Sequence, residues 1–161
     1  MTGSLDNVLG LTHLGKVSPI ETDPDKVKFD LIHKPLKYIN YVCRFSIPEF
    51  QSLCPVTGQP DYATIIIDYV PDQLLIESKA LKLWMFAFRN HGAFHEAVTA
   101  MIADRLAKEM KPYWIRVASF FNARGGISID TVVEMGHIPS HPNKPIPLSL
   151  DHIRPYHSRG A

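Results

Sequence analysis

Hydrophobic and polar residues alternate between positions 38 and 47. A period of two is typical of a half-buried strand, and we expect Pro48 to end it. Residues 62–70 are rich in β-branched side chains and predict a second strand, while residues 73–77 predict a short third one. Residues 1–35 carry few periodic signals, so we expect an extended arm over the surface.

The pattern then changes to the period of a helix. Residues 78–89 are good helix formers, and a second helix is indicated after residues 90–92. The apolar stripe of this second helix consists of Phe94, Val98, Met101, Ile102, Leu106 and Met110. Strands are predicted again at 113–121 and 127–133, joined by a turn at Arg124-Gly125-Gly126. Short turns favour antiparallel pairing, with both helices on one face of the sheet, so the predicted fold class is α+β.

Length and composition fit a single folded domain. The chain has 161 residues, of which 45% are hydrophobic, and we assign the domain to residues 1–136. The tail, residues 137–161, is rich in proline and histidine, and we expect it to be mobile or to lie on a neighbouring molecule.

Charge and hydropathy exclude some classes of protein. A net charge of +1 argues against general binding to nucleic acid or to a membrane surface. No apolar run approaches the ~20 residues of a membrane span, and the first fifteen residues lack the features of a signal peptide. Two cysteines do not make a disulfide framework, so we expect a cytoplasmic protein with free thiols.

Cys54 is the candidate nucleophile. It lies in a loop with several proline and glycine residues between two predicted strands, whereas Cys43 lies on the apolar face of a strand. A reactive thiolate needs a cation or a proton acceptor nearby. Asp61 follows seven residues later and could supply a proton. Structural roles stay open for both, with Cys54 as a small buried apolar group and Asp61 as a turn cap.

Polar residues also gather at the predicted starts of the two helices. Glu77 and Ser78 are suited to capping the first helix, and Lys79 and Lys82 could hold phosphates or could form a solvated face.

At the second helix, Glu96 could accept hydrogen bonds from a guanine-like ring, or could be an ordinary acid of the first turn. His91 and His95 are four residues apart, as in helical metal sites, but no third ligand is evident, and we predict no metal.

Four motifs in order resemble the 7-cyano-7-deazaguanine reductases, the QueF nitrile oxidoreductases of the short type. They are Ser52-Leu-Cys-Pro-Val-Thr-Gly-Gln-Pro-Asp61, Glu77-Ser-Lys-Ala-Leu-Lys-Leu-Trp84, Phe88-Arg-Asn-His-Gly-Ala-Phe-His-Glu96 and Arg124-Gly-Gly-Ile-Ser-Ile-Asp130. The resemblance implies a tunnelling fold, related to GTP cyclohydrolase I, in which subunits join their strands into a barrel. It also implies a homodecamer of two pentamers, with active sites between subunits.

The resemblance further implies a role for each candidate residue. Cys54 would attack the nitrile carbon to form a thioimide, Asp61 would be the general acid, and His95 would transfer protons or position substrate. Glu77, Ser78 and Glu96 would bind the deazaguanine ring together with His95. The residues implied in binding the cofactor NADPH are Lys79, Lys82 and Arg124. Some family members carry a second, protective cysteine where this chain has Val98.

Two other functions remain possible from the sequence. One is a metal-dependent hydrolase on the same fold, similar to GTP cyclohydrolase. The other is a non-catalytic oligomer that binds a purine or pterin.

Overall fold

A computed structural model of the protein describes residues 21–140 and 148–150. The strands are β1 (Leu31–His33), β2 (Cys43–Leu53), β3 (Pro60–Val70), β4 (Leu74–Ile76), β5 (Trp114–Phe121) and β6 (Asp130–Gly136). The helices are α1 (Ser78–Ala87) and α2 (His95–Met110), and a short 3₁₀ helix, Phe88–Asn90, follows α1 directly.

The strands form two antiparallel sheets. The larger sheet has the order β2-β3-β5-β6, and the smaller one pairs β1 with β4. Every paired strand in the described part of the chain runs antiparallel to its neighbour. The predicted α+β class and the antiparallel pairing are therefore confirmed.

The first long strand differs from its prediction. It begins at Cys43 rather than at residue 38, and Pro48 does not end it. Pairing with β3 is interrupted between Ile47 and Phe50 and then resumes to Leu53. A β-bulge on an edge strand tolerates proline, because the missing N–H is not needed in the ladder there. This continuation carries the strand up to Cys54.

Two further boundaries were predicted wrongly. The expected arm contains β1, which has only three residues and therefore too few to show a period. The last strand begins at Asp130 instead of residue 127, because residues 124–127 form the turn. The part of the predicted arm that precedes residue 21 lies outside the described residues.

Both helices cover one face of the large sheet, as predicted. Their buried residues share one core with every second residue of β3 and β5, including Ile65, Ile67 and Val117. Most of the predicted stripe of α2 belongs to this core, but Phe94 precedes the helix and is 63% exposed. No helix in the described residues is long and apolar enough to cross a membrane.

The opposite face of the sheet holds a buried ion cluster. Asp68 is fully buried and pairs with Arg44 at 2.6 Å and with Arg116 at 2.5 Å. The same arginines also donate to the backbone carbonyls of Leu148 and Ser149. Removing one partner of such a cluster leaves buried charge uncompensated, which typically costs several kcal/mol.

This contact bears on the C-terminal tail. Leu150 packs against the buried residues Ile66, Ala118 and Phe120 on the same face. Residues 148–150 therefore lie on the chain's own sheet, and the expectation of a mobile tail or one bound to a neighbour is wrong for them. Nothing in the sequence indicates this contact, because the arginines bind backbone carbonyls, which every residue carries, and not particular side chains of the tail.

Candidate active site

Cys54 lies in the connection between β2 and β3. Its backbone N–H donates to the carbonyl of Gln59 at 2.8 Å, and its own carbonyl accepts from the N–H of Gly58 at 2.9 Å. Gly58 has φ +67°, a left-handed conformation that favours glycine. These bonds close a tight loop that holds the thiol at the end of the sheet.

A second segment supports this loop from the side. Leu53 donates to the carbonyl of His91 at 3.0 Å and accepts from the N–H of Ala93 at 3.1 Å. A Cβ at Gly92 would lie 3.3 Å from the Cα of Pro55, so only glycine allows this close approach without a shift. The segment between the helices thus runs beside Cys54, and it leads directly into α2.

Asp61 is the centre of the charged cluster. It lies in β3 opposite Ser52, and its side chain is 1% exposed. One carboxylate oxygen, Oδ2, lies 3.1 Å from His95 Nε2, and the other, Oδ1, lies 2.8 Å from Arg124 Nη1. Both distances are those of ion pairs, but neither contact has the geometry of a hydrogen bond. The attraction between Asp61 and its two neighbours is therefore that of nearby charges. Small side-chain rotations would convert the two contacts into charge-assisted hydrogen bonds.

His95 is the first residue of α2 and is buried. Its ring stacks on Phe121, with centroids 3.8 Å apart and planes at 3°. Its Nδ1 makes no hydrogen bond to any group in the described residues. The stacking fixes the plane of the imidazole, and with it the edge that faces Asp61.

The loop also changes the acidity of the thiol. The side chain of Thr57 lowers the pKa of Cys54 to about 7, assisted by the backbone N–H groups of Thr57 and Val56 and by Arg124. Burial raises the pKa of Cys43 instead. Since the thiolate is the nucleophilic form, we expect Cys54 to be the more reactive cysteine of the two at neutral pH.

We expect alkylation of Cys54 by iodoacetamide to rise with pH around a midpoint near 7. Below this pH the thiol is protonated and slow to react; above it the thiolate dominates. Thr57→Val removes the largest stabilising contact and should move the midpoint up toward the ordinary thiol value of about 8.5. The measurement is the rate of alkylation against pH, followed by intact mass in a Cys43→Ala background. A midpoint that does not move in Thr57→Val would contradict this origin of the acidity.

The residues at the start of α1 lie apart from this cluster. Glu77 is the N-cap of α1, and its carboxylate accepts from the N–H groups of Lys79 and Ala80, both at 2.9 Å, and from Ser78 Oγ at 3.1 Å. Helix α1 has ten residues and ends in the 3₁₀ helix that precedes His91. At 1.5 Å per residue α1 is about 15 Å long, and its last residue, not its first, leads toward the segment that contacts Leu53 beside Cys54.

A groove runs between α1 and the bulge of β2. Its volume is about 340 Å³. Polar and cationic groups in its lining are Ser78 and Lys82 on α1 and Arg89 on the 3₁₀ helix; Glu49 of β2 adds a carboxylate, and apolar side chains such as Phe45 complete the lining. The groove therefore combines cations with an apolar wall, but Cys54, Asp61 and His95 do not line it.

The remaining candidates have separate surroundings. Glu96 is exposed in the first turn of α2, next to His95. His91 packs edge-on against Phe88 at 5.7 Å, so the two histidines of the possible metal pair contact different partners. Among the described residues, no three histidine, cysteine, aspartate or glutamate side chains gather as a metal site would require.

Sequence reasoning missed three features of the site. Thr57 lies within the motif that contains Cys54 and could have been suspected from that position. The stacking of Phe121 on His95 had no signal, since Phe121 looked like an ordinary core residue of β5. Arg124 was assigned to the cofactor, and its contact with Asp61 depends on a turn distant in sequence.

Comparison with known proteins identifies the family. The sequence model of a family described as QueF-like protein matches residues 60–140. The NADPH-dependent 7-cyano-7-deazaguanine reductase of Zymomonas mobilis is 52% identical over 128 residues, covering 80% of this chain and 87% of that protein. The reductase of the same name from Parvibaculum lavamentivorans is 45% identical over 153 residues, covering 95% and 97%. The chain belongs to this reductase family.

The fold of the reductase chain also has a solved counterpart. The crystal structure of the archaeosine synthase QueF-Like in the apo form superposes with a TM-score of 0.56 at 18% identity. The match covers 61% of this chain and 96% of the other. At this identity the likeness supports the shared fold, and the reductase relatives carry the family assignment.

Proposed function

We propose that this protein is an oxidoreductase that reduces the nitrile of 7-cyano-7-deazaguanine to the aminomethyl group of 7-aminomethyl-7-deazaguanine, a step in queuosine modification of tRNA. The observation that carries the proposal is an acidic thiol, Cys54, beside the Asp61–His95–Arg124 cluster. It occurs in a chain that is 52% identical over 128 residues to a reductase of that name.

The first step is covalent. The thiolate of Cys54 attacks the nitrile carbon, a C–S bond forms, and one π bond of the C≡N group becomes a pair of electrons on nitrogen. A proton from Asp61 neutralises that nitrogen and gives a thioimide. Because Asp61 is buried against His95, the imidazole can return a proton to it between steps. Arg124 offsets the negative charge of the Cys54 thiolate and that of Asp61 after its proton has been transferred.

The reduction needs four electrons and therefore two hydrides. NADPH supplies one hydride per molecule when bound, and the carbon–sulfur bond breaks between the two transfers so that the thiolate is restored. Lys79 and Lys82, at the start of α1, are our candidates for holding the phosphates of this cofactor. The cationic side of the groove and its apolar wall fit a ligand that carries both phosphates and a nicotinamide ring.

Arg124 remains a candidate for cofactor contact as well. It is 47% exposed, so one part of its guanidinium can face a ligand while Nη1 stays beside Asp61. We propose that the main role of Arg124 is its contact with Asp61, because that contact places a cation beside the residue that acts as the acid.

We assign Glu77, Ser78, Glu96 and His95 to the deazaguanine ring. Glu96 is exposed near His95 and can accept two N–H bonds. Glu77 already accepts two bonds on Oε1 and one on Oε2, which leaves acceptor capacity on Oε2 for a ring N–H.

We further propose that a second subunit completes the site. Glu77 and Ser78 lie at the start of α1, whereas the segment that contacts Leu53 beside Cys54 follows the opposite end of that helix. Strands β2 and β6 are the edges of the large sheet, so copies can join edge to edge into a tunnelling-fold barrel. A decamer of two pentamers would then bring the start of α1 from one copy to Cys54 of the next.

Purified protein is expected to oxidise NADPH only when 7-cyano-7-deazaguanine is added, with two NADPH consumed per aminomethyl product. Native mass spectrometry of the same sample should give a multiple of five copies. The matched control replaces the nitrile with GTP, which a cyclohydrolase-like enzyme would open and this protein should not. Ring opening of GTP, or binding of the nitrile without NADPH oxidation, would contradict the proposed reaction.

A further inference from the structure

A pair of buried hydroxyl groups links the start of α2 to β5. Thr99 Oγ1 donates to the carbonyl of His95 at 2.9 Å and lies 2.5 Å from Ser119 Oγ. Both residues are fully buried. Because the single proton of Thr99 is used toward His95, Ser119 must donate to Thr99. The result is a directed chain from Ser119 through Thr99 to the backbone of His95.

Packing alone does not require these hydroxyl groups. Val98 and Ile102, next to Thr99 on the buried side of α2, are completely enclosed in the apolar core. Valine has nearly the same shape as threonine and would avoid the cost of burying a polar group there. The hydroxyl pair therefore has a role that an apolar side chain would not fill.

The start of α2 needs such support. Its N-cap, Phe94, makes no side-chain capping bond, whereas α1 is capped by both carboxylate oxygens of Glu77. An uncapped first turn frays more readily, and His95 is the first residue of that turn. Motion there would change the 3.1 Å approach of His95 Nε2 to Asp61.

Strand β5 holds His95 at two points. Ser119 and Phe121 are two residues apart on β5, so their side chains face the same side of the sheet. Phe121 supports the imidazole ring by stacking, and Ser119 supports the backbone carbonyl through Thr99. Together they fix both the ring plane and the position of the helix start.

We propose that Thr99 and Ser119 are positioning residues for the His95–Asp61 pair. They hold the first turn of α2 at the position from which the imidazole reaches the carboxylate. The effect on turnover rests on the proposed function of His95, while the effect on geometry does not.

The test is Thr99→Val in the full-length protein. We expect kcat to fall about tenfold while the KM for the nitrile changes less than about twofold, because the variant misplaces a reacting pair and leaves the ring contacts of Glu77 and Ser78 intact. The pH profile of kcat should also change. A crystal structure of the variant should show His95 Nε2 beyond about 3.5 Å from Asp61, outside hydrogen-bonding distance. Thr99→Ser keeps the hydroxyl and should restore kcat to within about twofold of the unmodified protein.

The matched control is Thr131→Val. Thr131 is the register partner of Ser119 on β6, and its buried hydroxyl has no hydrogen-bond partner among the described residues. This variant should leave kcat and the His95 geometry unchanged. The proposal is overturned if Thr99→Val keeps the original His95–Asp61 distance, if Thr99→Ser fails to rescue, or if Thr131→Val loses as much activity. Should the unmodified protein lack nitrile reductase activity, the crystallographic distance still decides the positioning role, and only the proposed reaction fails.

Discussion

Replacing Cys54 with alanine is expected to lower nitrile-dependent NADPH oxidation by about four orders of magnitude or more. A nitrile carbon accepts hydride poorly, and attack by the thiolate turns it into an imine-like centre. Without the thiol no C–S bond can form, so binding of substrate and cofactor cannot compensate. The measurement is the initial rate of NADPH oxidation at saturating nitrile.

Intact mass spectrometry tests the covalent step directly. The unmodified protein, mixed with nitrile in the absence of NADPH, should gain the mass of one substrate per chain, and Cys54→Ala should gain none. Cys43→Ala is the matched control, because Cys43 is half-buried against the core and burial raises its pKa. Turnover retained in Cys54→Ala, or an adduct lost in Cys43→Ala, would rule out Cys54 as the nucleophile.

Replacing Asp61 with asparagine should reduce kcat by about a thousandfold, within the range for loss of a general acid. Asparagine keeps the shape of the side chain but cannot deliver a proton to the developing nitrogen anion. It also leaves Arg124 and His95 without the charge that both now contact. The KM for the nitrile should change much less than kcat, because Asp61 acts on the reacting nitrogen.

Two measurements separate this role from a structural one. Asp104→Asn removes a carboxylate from the exposed side of α2, where Asp104 pairs with Lys108, and should leave kcat unchanged. The alkylation rate of Cys54 in Asp61→Asn should remain near that of the unmodified protein, since Thr57 and the loop N–H groups are intact. If alkylation and turnover fall together, Asp61 supports the loop, and its assignment as the acid is incorrect.

Much of the fold follows from local pattern. Long elements such as β3, α2 and β5 were predicted closely: β3 is rich in β-branched side chains, and α2 repeats its apolar period over 16 residues. The three residues of β1 and the continuation of β2 past Pro48 were not predicted. A short strand forms only when a partner supplies its hydrogen bonds, and a proline is tolerated only when a bulge removes the need for its N–H.

The tail shows the same limit. Its composition excluded helix and central strand but did not reveal a partner. For residues 148–150 that partner is a pair of arginines on β2 and β5, held in place by the buried Asp68. Composition shows which secondary structures a segment cannot form. Whether the segment binds to the rest of the chain depends on side chains that distant strands supply.

The sequence by itself determined the family and the α+β class and predicted Cys54 rather than Cys43 as the nucleophile, because these depend on residue types at fixed spacing. Tertiary structure alone decided that Arg124 lies against Asp61, that Phe121 supports His95, and that Lys82 lines a groove that Cys54 does not line. These contacts join residues from β3, β5, α2 and the turn before β6. The spacing of residues along the chain does not predict these contacts, because they form only when the sheet and helices pack together.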